Sequence, residues 1–184
     1  MIRYALYFVP HLKNRIKILP IRAKLCRKYK NQENMQHPLH MTLTWGVPIK
    51  NYAQFEKELR KLCTKQKPRI LKAHPKTRIF LKYYWSGIVI KNTPGLKSFQ
   101  RKIQKLVNKH ATKKERHRFW PHISLVYSLE EKPIDLSGLK PMKNPVTEFN
   151  FDRITICKQQ KEEEKYRIFK HLKLRDCFSS IPNP

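Results

Sequence analysis

Three observations predict an α+β fold built on antiparallel sheets. Short β-rich runs of alternating apolar and polar residues occur at both ends of the chain and in its middle. Two strongly amphipathic helical stretches lie between them without the strict alternation of a doubly wound sheet. Only 4 glycines are present in 184 residues, too few for a glycine-rich phosphate loop.

The elements follow in order. The opening IRYALYFVP is rich in Tyr, Phe and Val and stops at a proline, so it reads as a strand. Residues 12 to 30 are basic, with Ile16, Leu19 and Leu25 interspersed; they suggest a helix that Pro20 interrupts. A strand is expected from about His37 to Val47. NYAQFEKELRKLC then places Tyr52, Phe55, Leu59 and Leu62 at helical spacing behind an Asn51 cap. RILKAH and RIFLKYYWSGIVI are two further strand runs, with Gly87 marking a bulge or a split in the second. In TPGLKSFQRKIQKLVNKH, Thr93 caps, Pro94 takes the first helical position, and Leu96, Phe99, Ile103, Leu106 and Val107 form the stripe. After the basic turn ATKKERHR come the strand run FWPHISLVYS and two longer ones, VTEFNFDRITICK and KYRIFKHLKL, joined by the charged hairpin QQKEEE.

The length suits one domain, expected to span residues 1–184. Lys and Arg number 41 against 13 Asp and Glu, a net charge of +28. Such an excess asks for an anionic partner, with nucleic acid or a nucleotide first and a membrane surface second. A lysine-rich proteome would produce the same balance without chemistry. Cys26, Cys63, Cys157 and Cys177 show neither CxxC nor zinc-ligand spacing with His, and they read as buried free thiols in a reducing compartment. No run approaches the length of a membrane span or signal peptide. The expected location is therefore the cytoplasm, or more broadly the cell interior including the nucleus.

Function is legible in two short segments. In His40-Met41-Thr42-Leu43 the histidine and the hydroxyl share one face of a strand, while Met41 and Leu43 enter the core. His122-Ile123-Ser124-Leu125 repeats the pattern 82 residues later. From composition, roughly 0.1 such patterns are expected per shuffled chain, so two are a strong signal. Either histidine alone would read as an ordinary strand residue.

With these two segments, PLHMTLT and WPHISLVY, the chain resembles the 2H phosphoesterase superfamily, whose members carry two His-x-Ser/Thr motifs. The run from Trp120 to Lys158 is most similar to its cyclic phosphodiesterase branch, which is related to 2′-5′ RNA ligase-like proteins. The resemblance implies a bilobal α+β fold: two antiparallel sheets facing across a central cleft, helices on the outer faces, and one motif in each of two pseudo-symmetric lobes. It also implies metal-independent hydrolysis of a cyclic phosphodiester, a 2′,3′-cyclic phosphate or similar, on an RNA-derived or nucleotide substrate.

The chemistry fits those residue types. One neutral imidazole can take a proton from water while a charged one protonates the departing oxygen. Fixed hydroxyls can hold the phosphoryl oxygens as charge gathers on them. The expected catalytic residues are His40, Thr42, His122 and Ser124, with no metal ligands and no cofactor. Tyr127, Thr44, Tyr7, Tyr84 and Trp85 are candidates for substrate binding. Tyr127 lies five residues after His122, so strict alternation turns it to the far face unless a bulge returns it. His37 and His117 read as surface residues. RNA ends or cyclic nucleotides are the expected substrates of a monomer with no membrane partner. Two alternatives stay open: cleavage of 2′-5′ oligoadenylates or ligase-like RNA end processing, and a non-catalytic RNA- or nucleotide-binding module.

Overall fold

The computed structural model describes residues 1–115, 118–128, 133–161 and 165–175. Among them the chain forms β1 (Arg3–Phe8), α1 (Leu12–Lys28), β2 (Met41–Pro48), α2 (Tyr52–Cys63), β3 (Arg69–Lys72), β4 (Arg78–Phe80), β5 (Trp85–Val89), α3 (Pro94–His110), β6 (His122–Tyr127), β7 (Glu148–Phe151), β8 (Arg153–Gln159) and β9 (Arg167–Lys173). Short 3-10 turns occupy Gln32–Gln36 and Leu81–Tyr83.

Seven strands make one antiparallel sheet in the order β4-β5-β6-β2-β1-β8-β9, and β3 pairs separately with β7. Within the large sheet, β4-β5-β6 and β2-β1-β8-β9 form two half-sheets joined at a single residue pair, Met41↔Ile123. The two expected sheets therefore meet edge to edge at a seam, and both histidine motifs border it.

One face of the sheet carries the core. Phe8, Met41, Leu43, Ile123, Ile154 and Ile156 are fully buried there. Phe55 and Leu59 of α2 and Leu96, Phe99, Ile103 and Val107 of α3 close over them. Each such side chain contributes about 1.5–3 kcal/mol on burial. The caps behave as read from sequence: Asn51 Oδ1 accepts from Gln54 N at 3.0 Å and Thr93 Oγ1 from Leu96 N at 3.2 Å. On the other face of β1 and β8 lie Ala5, Tyr7 and Cys157, with Tyr166 packed against them.

Three elements differ from the sequence reading. α1 runs unbroken through Pro20, which sits on its exposed side, while Ile18, Arg22, Leu25 and Cys26 face inward. VTEFNFDRITICK is two strands, separated at Asp152 and belonging to different sheets. RIFLKYYWSGIVI is a hairpin split at Leu81–Tyr84, with Tyr84 left-handed at φ 45°. Gly87 marks a register shift, the bulge among its two expected meanings. Cys26, Cys63 and Cys157 are free and buried; burial pushes the thiols of Cys63 and Cys157 up to about 12. Cys177 lies outside the described residues. No described helix is long and apolar enough to cross a membrane.

Candidate active site

The same local device fixes both rings. His40 Nδ1 lies 2.8 Å from Pro38 O, and His122 Nδ1 lies 2.8 Å from Trp120 O. A carbonyl can only accept, so each Nδ1 carries the hydrogen and Nε2 is left for proton transfer. Both anchors are the carbonyl two residues upstream, and both histidines stand at the entry to their strands. The antiparallel pair Met41↔Ile123 carries His40 toward Ser124 and Thr42 toward His122 on the face opposite the core. The four motif residues thus converge on the seam.

Beyond the seam the two sides differ. Tyr7 pairs with Thr42 across β1 and β2. Its ring stacks on His40 at a centroid distance of 3.9 Å and 21° between planes. Burial, with Cys157, Tyr166 and Tyr127 nearby, holds the Tyr7 phenol well above its ordinary pKa, so it remains a hydrogen-bond donor. Arg22 of α1 is buried beside this side and donates to His37 O at 2.8 Å and to Asn34 O. Burial pulls His40 down to about 4; the Pro38 carbonyl opposes this, and the charges of His37, Arg22 and His122 reinforce it.

His122 faces an aromatic wall instead. Trp85 meets it edge-on at 4.8 Å and Trp120 lies tilted at 4.5 Å. Phe80 packs against Trp120 at 4.9 Å. Trp85 Nε1 donates to Ser124 Oγ at 2.8 Å. Gly87, opposite Ser124 in the ladder, permits this, because a Cβ there would fall on the Trp85 ring and the Ile123 carbonyl. Burial lowers the pKa of His122 also, against the raising effect of the Trp120 carbonyl.

Two irregularities decide where the remaining candidates point. In β6 the pairing shifts between Ser124 and Val126, so Leu125 is the extra residue and Leu125 and Val126 both enter the core. Tyr127 thereby pairs with Trp85 and comes close enough to raise the Tyr7 pKa, as the bulge reading required. In β2 the ladder steps from Thr42↔Tyr7 to Thr44↔Leu6. Thr44 is 0% exposed, and its hydroxyl has no hydrogen-bond partner. It is therefore enclosed rather than lined up beside Thr42. Tyr84 sits in the hairpin turn, half-buried, with its carbonyl accepting from Ser128 N at 3.0 Å. His37 is half-buried at the entry to β2; His117 lies outside the described residues.

Three residues of this region were not singled out from sequence. Trp120 continues the period-two row of His122 and Ser124, which was signal enough. Arg22 shares the i, i+4, i+7, i+8 stripe of Ile18, Leu25 and Cys26, again a usable signal. Tyr166 reaches Gly46 of β2, where a Cβ would fall on its phenol; nothing local announces that contact.

Among the described residues no three His, Cys, Asp or Glu side chains cluster as metal ligands would. Fold and motifs together define the class: a two-histidine phosphoesterase scaffold. Residues 8–163 match the model of the 2′-5′ RNA ligase superfamily, and the chain belongs to that family. Escherichia coli LigT solved with 3′-AMP has the same fold, with a TM-score of 0.60, 19% identity, and coverage of 95% of this chain and 98% of that one. LigT with NADP+ matches at 0.58, 17% identity and the same coverage. A structure described as a phosphoesterase matches at 0.58 and 16% identity, covering 95% and 99%. No curated protein sequence matches the chain.

Proposed function

We propose that this protein is a metal-independent phosphodiesterase that opens a 2′,3′-cyclic phosphate on an RNA-derived or nucleotide substrate. One observation carries the reading: two imidazoles, each with Nδ1 held by a backbone carbonyl, meet at one seam with a hydroxyl beside each. The chain then acts as one unit of two pseudo-symmetric halves, each supplying a motif.

The strongly lowered pKa of His40 keeps its Nε2 unprotonated at neutral pH, which suits the base. His40 takes a proton from water as the water oxygen bonds to phosphorus. The bond from phosphorus to one ribose oxygen breaks, and His122 Nε2–H protonates that oxygen. His122 is charged for this once substrate is bound, because the phosphate raises its pKa again. Thr42 and Ser124 donate to the non-bridging oxygens, Ser124 with its hydroxyl oriented by Trp85. Tyr127 and Tyr7 border the phosphate on the His40 side. Trp120, 36% exposed, offers a face for a base, which stacking favours by about 1–3 kcal/mol. Trp85, a stacking candidate from sequence, is 5% exposed and backs it from beneath. With a 5′-hydroxyl in place of water as the attacking group, the same pair would open the cyclic phosphate into a phosphodiester and so join RNA ends, the freed ribose oxygen taking the proton from His122, in keeping with the family's name.

The test is incubation with 2′,3′-cyclic nucleotides, a 2′-5′ adenylate trimer and a cyclic dinucleotide, with and without EDTA. Opening of the 2′,3′-cyclic nucleotide to a monophosphate in both conditions is expected. Absence of product from that substrate, or full turnover by His40→Ala or His122→Ala, would overturn the proposal.

A further inference from the structure

The two motif strands diverge from the pair Met41↔Ile123, so each turns a backbone edge toward the other half-sheet. Side chains meet both edges at matching places. Three residues after His40, Leu43 O accepts from Gln100 Nε2 at 3.1 Å; three after His122, Leu125 O accepts from the Cys26 thiol at 3.8 Å. Five residues after His40, Trp45 N donates to Glu115 Oε1 at 3.0 Å; five after His122, Tyr127 N donates to Asn34 Oδ1 at 3.3 Å. Asn31 and Asn34 also donate to Tyr127 O, at 2.7 and 2.8 Å.

These partners cross between the halves. α1 connects β1 to β2 yet packs on β6, and α3 connects β5 to β6 yet packs on β2. Cys26 lies in α1, with Asn31 and Asn34 in the segment after it; Gln100 lies in α3, with Glu115 in the segment after it. Each half-sheet thus sends its connecting helix across the seam to hold the motif strand of the other. The braces are themselves held. Gln104 Nε2 donates to Glu115 Oε2 at 3.0 Å, and Asn108 bonds both Glu115 N and Glu115 O, at 2.9 and 3.1 Å. Asn34 Nδ2 donates to Asn31 Oδ1, and Asn34 O accepts from the buried Arg22. Gln100 and Asn34 are buried, and interlocked buried amides hold geometry more firmly than single exposed bonds.

Satisfying two strand edges asks only for some polar partner at each group. Here both strands are met at the same two steps after the histidine, and from the opposite half each time. Those steps lie one and three residues beyond Thr42 and Ser124, at about 3.3 Å per residue, so slack there reaches the motif directly. We infer that Gln100 with Glu115, and Cys26 with Asn34, are positioning residues that fix the spacing of the two motifs across the seam. Their effect on rate rests on the cyclic phosphate reading above; their effect on the rings does not.

Glu115 is the first place to test this, because it is half-buried and lies outside any helix or strand. Glu115→Ala should lower kcat for a 2′,3′-cyclic nucleotide about ten- to hundredfold, with KM within about threefold, as for reacting groups displaced by about 1 Å. Glu115→Gln keeps an acceptor for Trp45 N and should recover most of that rate. Asn34→Ala should reproduce the loss from the other half, and Gln100→Ala about threefold of it, in line with one hydrogen bond. In the same variants the His40 ring is followed by NMR titration. Burial, with the charges of His37, Arg22 and His122, holds it at about 4 in the intact fold. With the halves loosened, water reaches the ring and His122 recedes, so in Glu115→Ala it should rise toward about 6.5. Removal of a carboxylate alone would move it down. Should Glu115→Ala not fold, Gln100→Ala carries the same titration. An unchanged His40 titration overturns the inference. So does full kcat in Glu115→Ala with only the unfolding temperature lowered, and so does an equal loss in Glu115→Gln, which would assign the effect to charge. If the wild-type protein opens no cyclic phosphate, that reading has failed, and the titration decides the braces by itself: a rise supports them and no change ends them.

Discussion

The two sides of the seam share an anchor and differ in what surrounds it. On the β2 side, His40 is stacked on Tyr7 and accompanied by the Arg22 guanidinium and the His37 imidazole. On the β6 side, His122 stands among Trp85, Trp120 and Phe80, and its serine is held by an indole N–H. In the proposed reaction, identical chemistry at Nδ1 with unlike neighbours lets one residue type serve as base on one side and acid on the other. The pair teaches that the motif fixes the tautomer, while the strands beside it set the proton affinity.

The comparison breaks most completely at the rings. His40→Ala and His122→Ala should each lower kcat by about a thousandfold, as for loss of a general acid or base, with the circular dichroism spectrum unchanged. Exchange of the roles is testable in the same assay: the bell-shaped pH profile should lose its acid limb in the variant of the base and its alkaline limb in the variant of the acid.

Next come the two glycines that admit an aromatic ring. A Cβ at Gly87 meets the Ile123 backbone as well as Trp85, whereas at Gly46 its three nearest neighbours all belong to the Tyr166 side chain. Gly87→Ala should therefore destabilise more, toward the upper end of about 1–3 kcal/mol for overpacking, and Gly46→Ala less, both read by urea unfolding. An equal cost would mean that Tyr166 is held as firmly as the strand.

A smaller change is expected from Trp85→Phe, which keeps a ring and removes the donor to Ser124. It should reduce kcat about three- to tenfold with little change in stability, in line with one hydrogen bond. Loss of stability without loss of rate would assign Trp85 to packing alone.

The last effect is on pH-dependent stability, where solvent reaching both half-buried rings screens part of the shift. His40 is lowered to about 4 in the fold against about 6.5 in an unfolded chain. The unfolded state thus binds the proton first, and stability falls as pH drops from about 6.5 toward 4, then levels. His40→Asn should flatten that window in thermal unfolding more than His122→Asn, since the shift at His122 is the less pronounced.

Much of this was legible because it is local. The alternation of His40-Met41-Thr42-Leu43 and of His122-Ile123-Ser124-Leu125 assigns faces without reference to any partner strand. The stripes of α2 and α3 and the Asn51 and Thr93 caps are likewise written in short windows. What escaped is set by pairing between distant segments. The bulge at Leu125 that returns Tyr127 arises where β6 meets β5. The register step that encloses Thr44 arises where β2 meets β1. β7 ends at Phe151 and β8 begins at Arg153 because their partners, β3 for the one and β1 and β9 for the other, belong to different sheets. Tyr166 reaches Gly46 across the sheet face, a contact no window of neighbouring residues contains.

The lone Met41↔Ile123 pair has a mechanical meaning. It works as the spine of a book whose two covers each carry one imidazole. The gap between the covers depends on the least reinforced joint of the sheet, and a phosphate bound as proposed, touching both pages, would serve as its clasp.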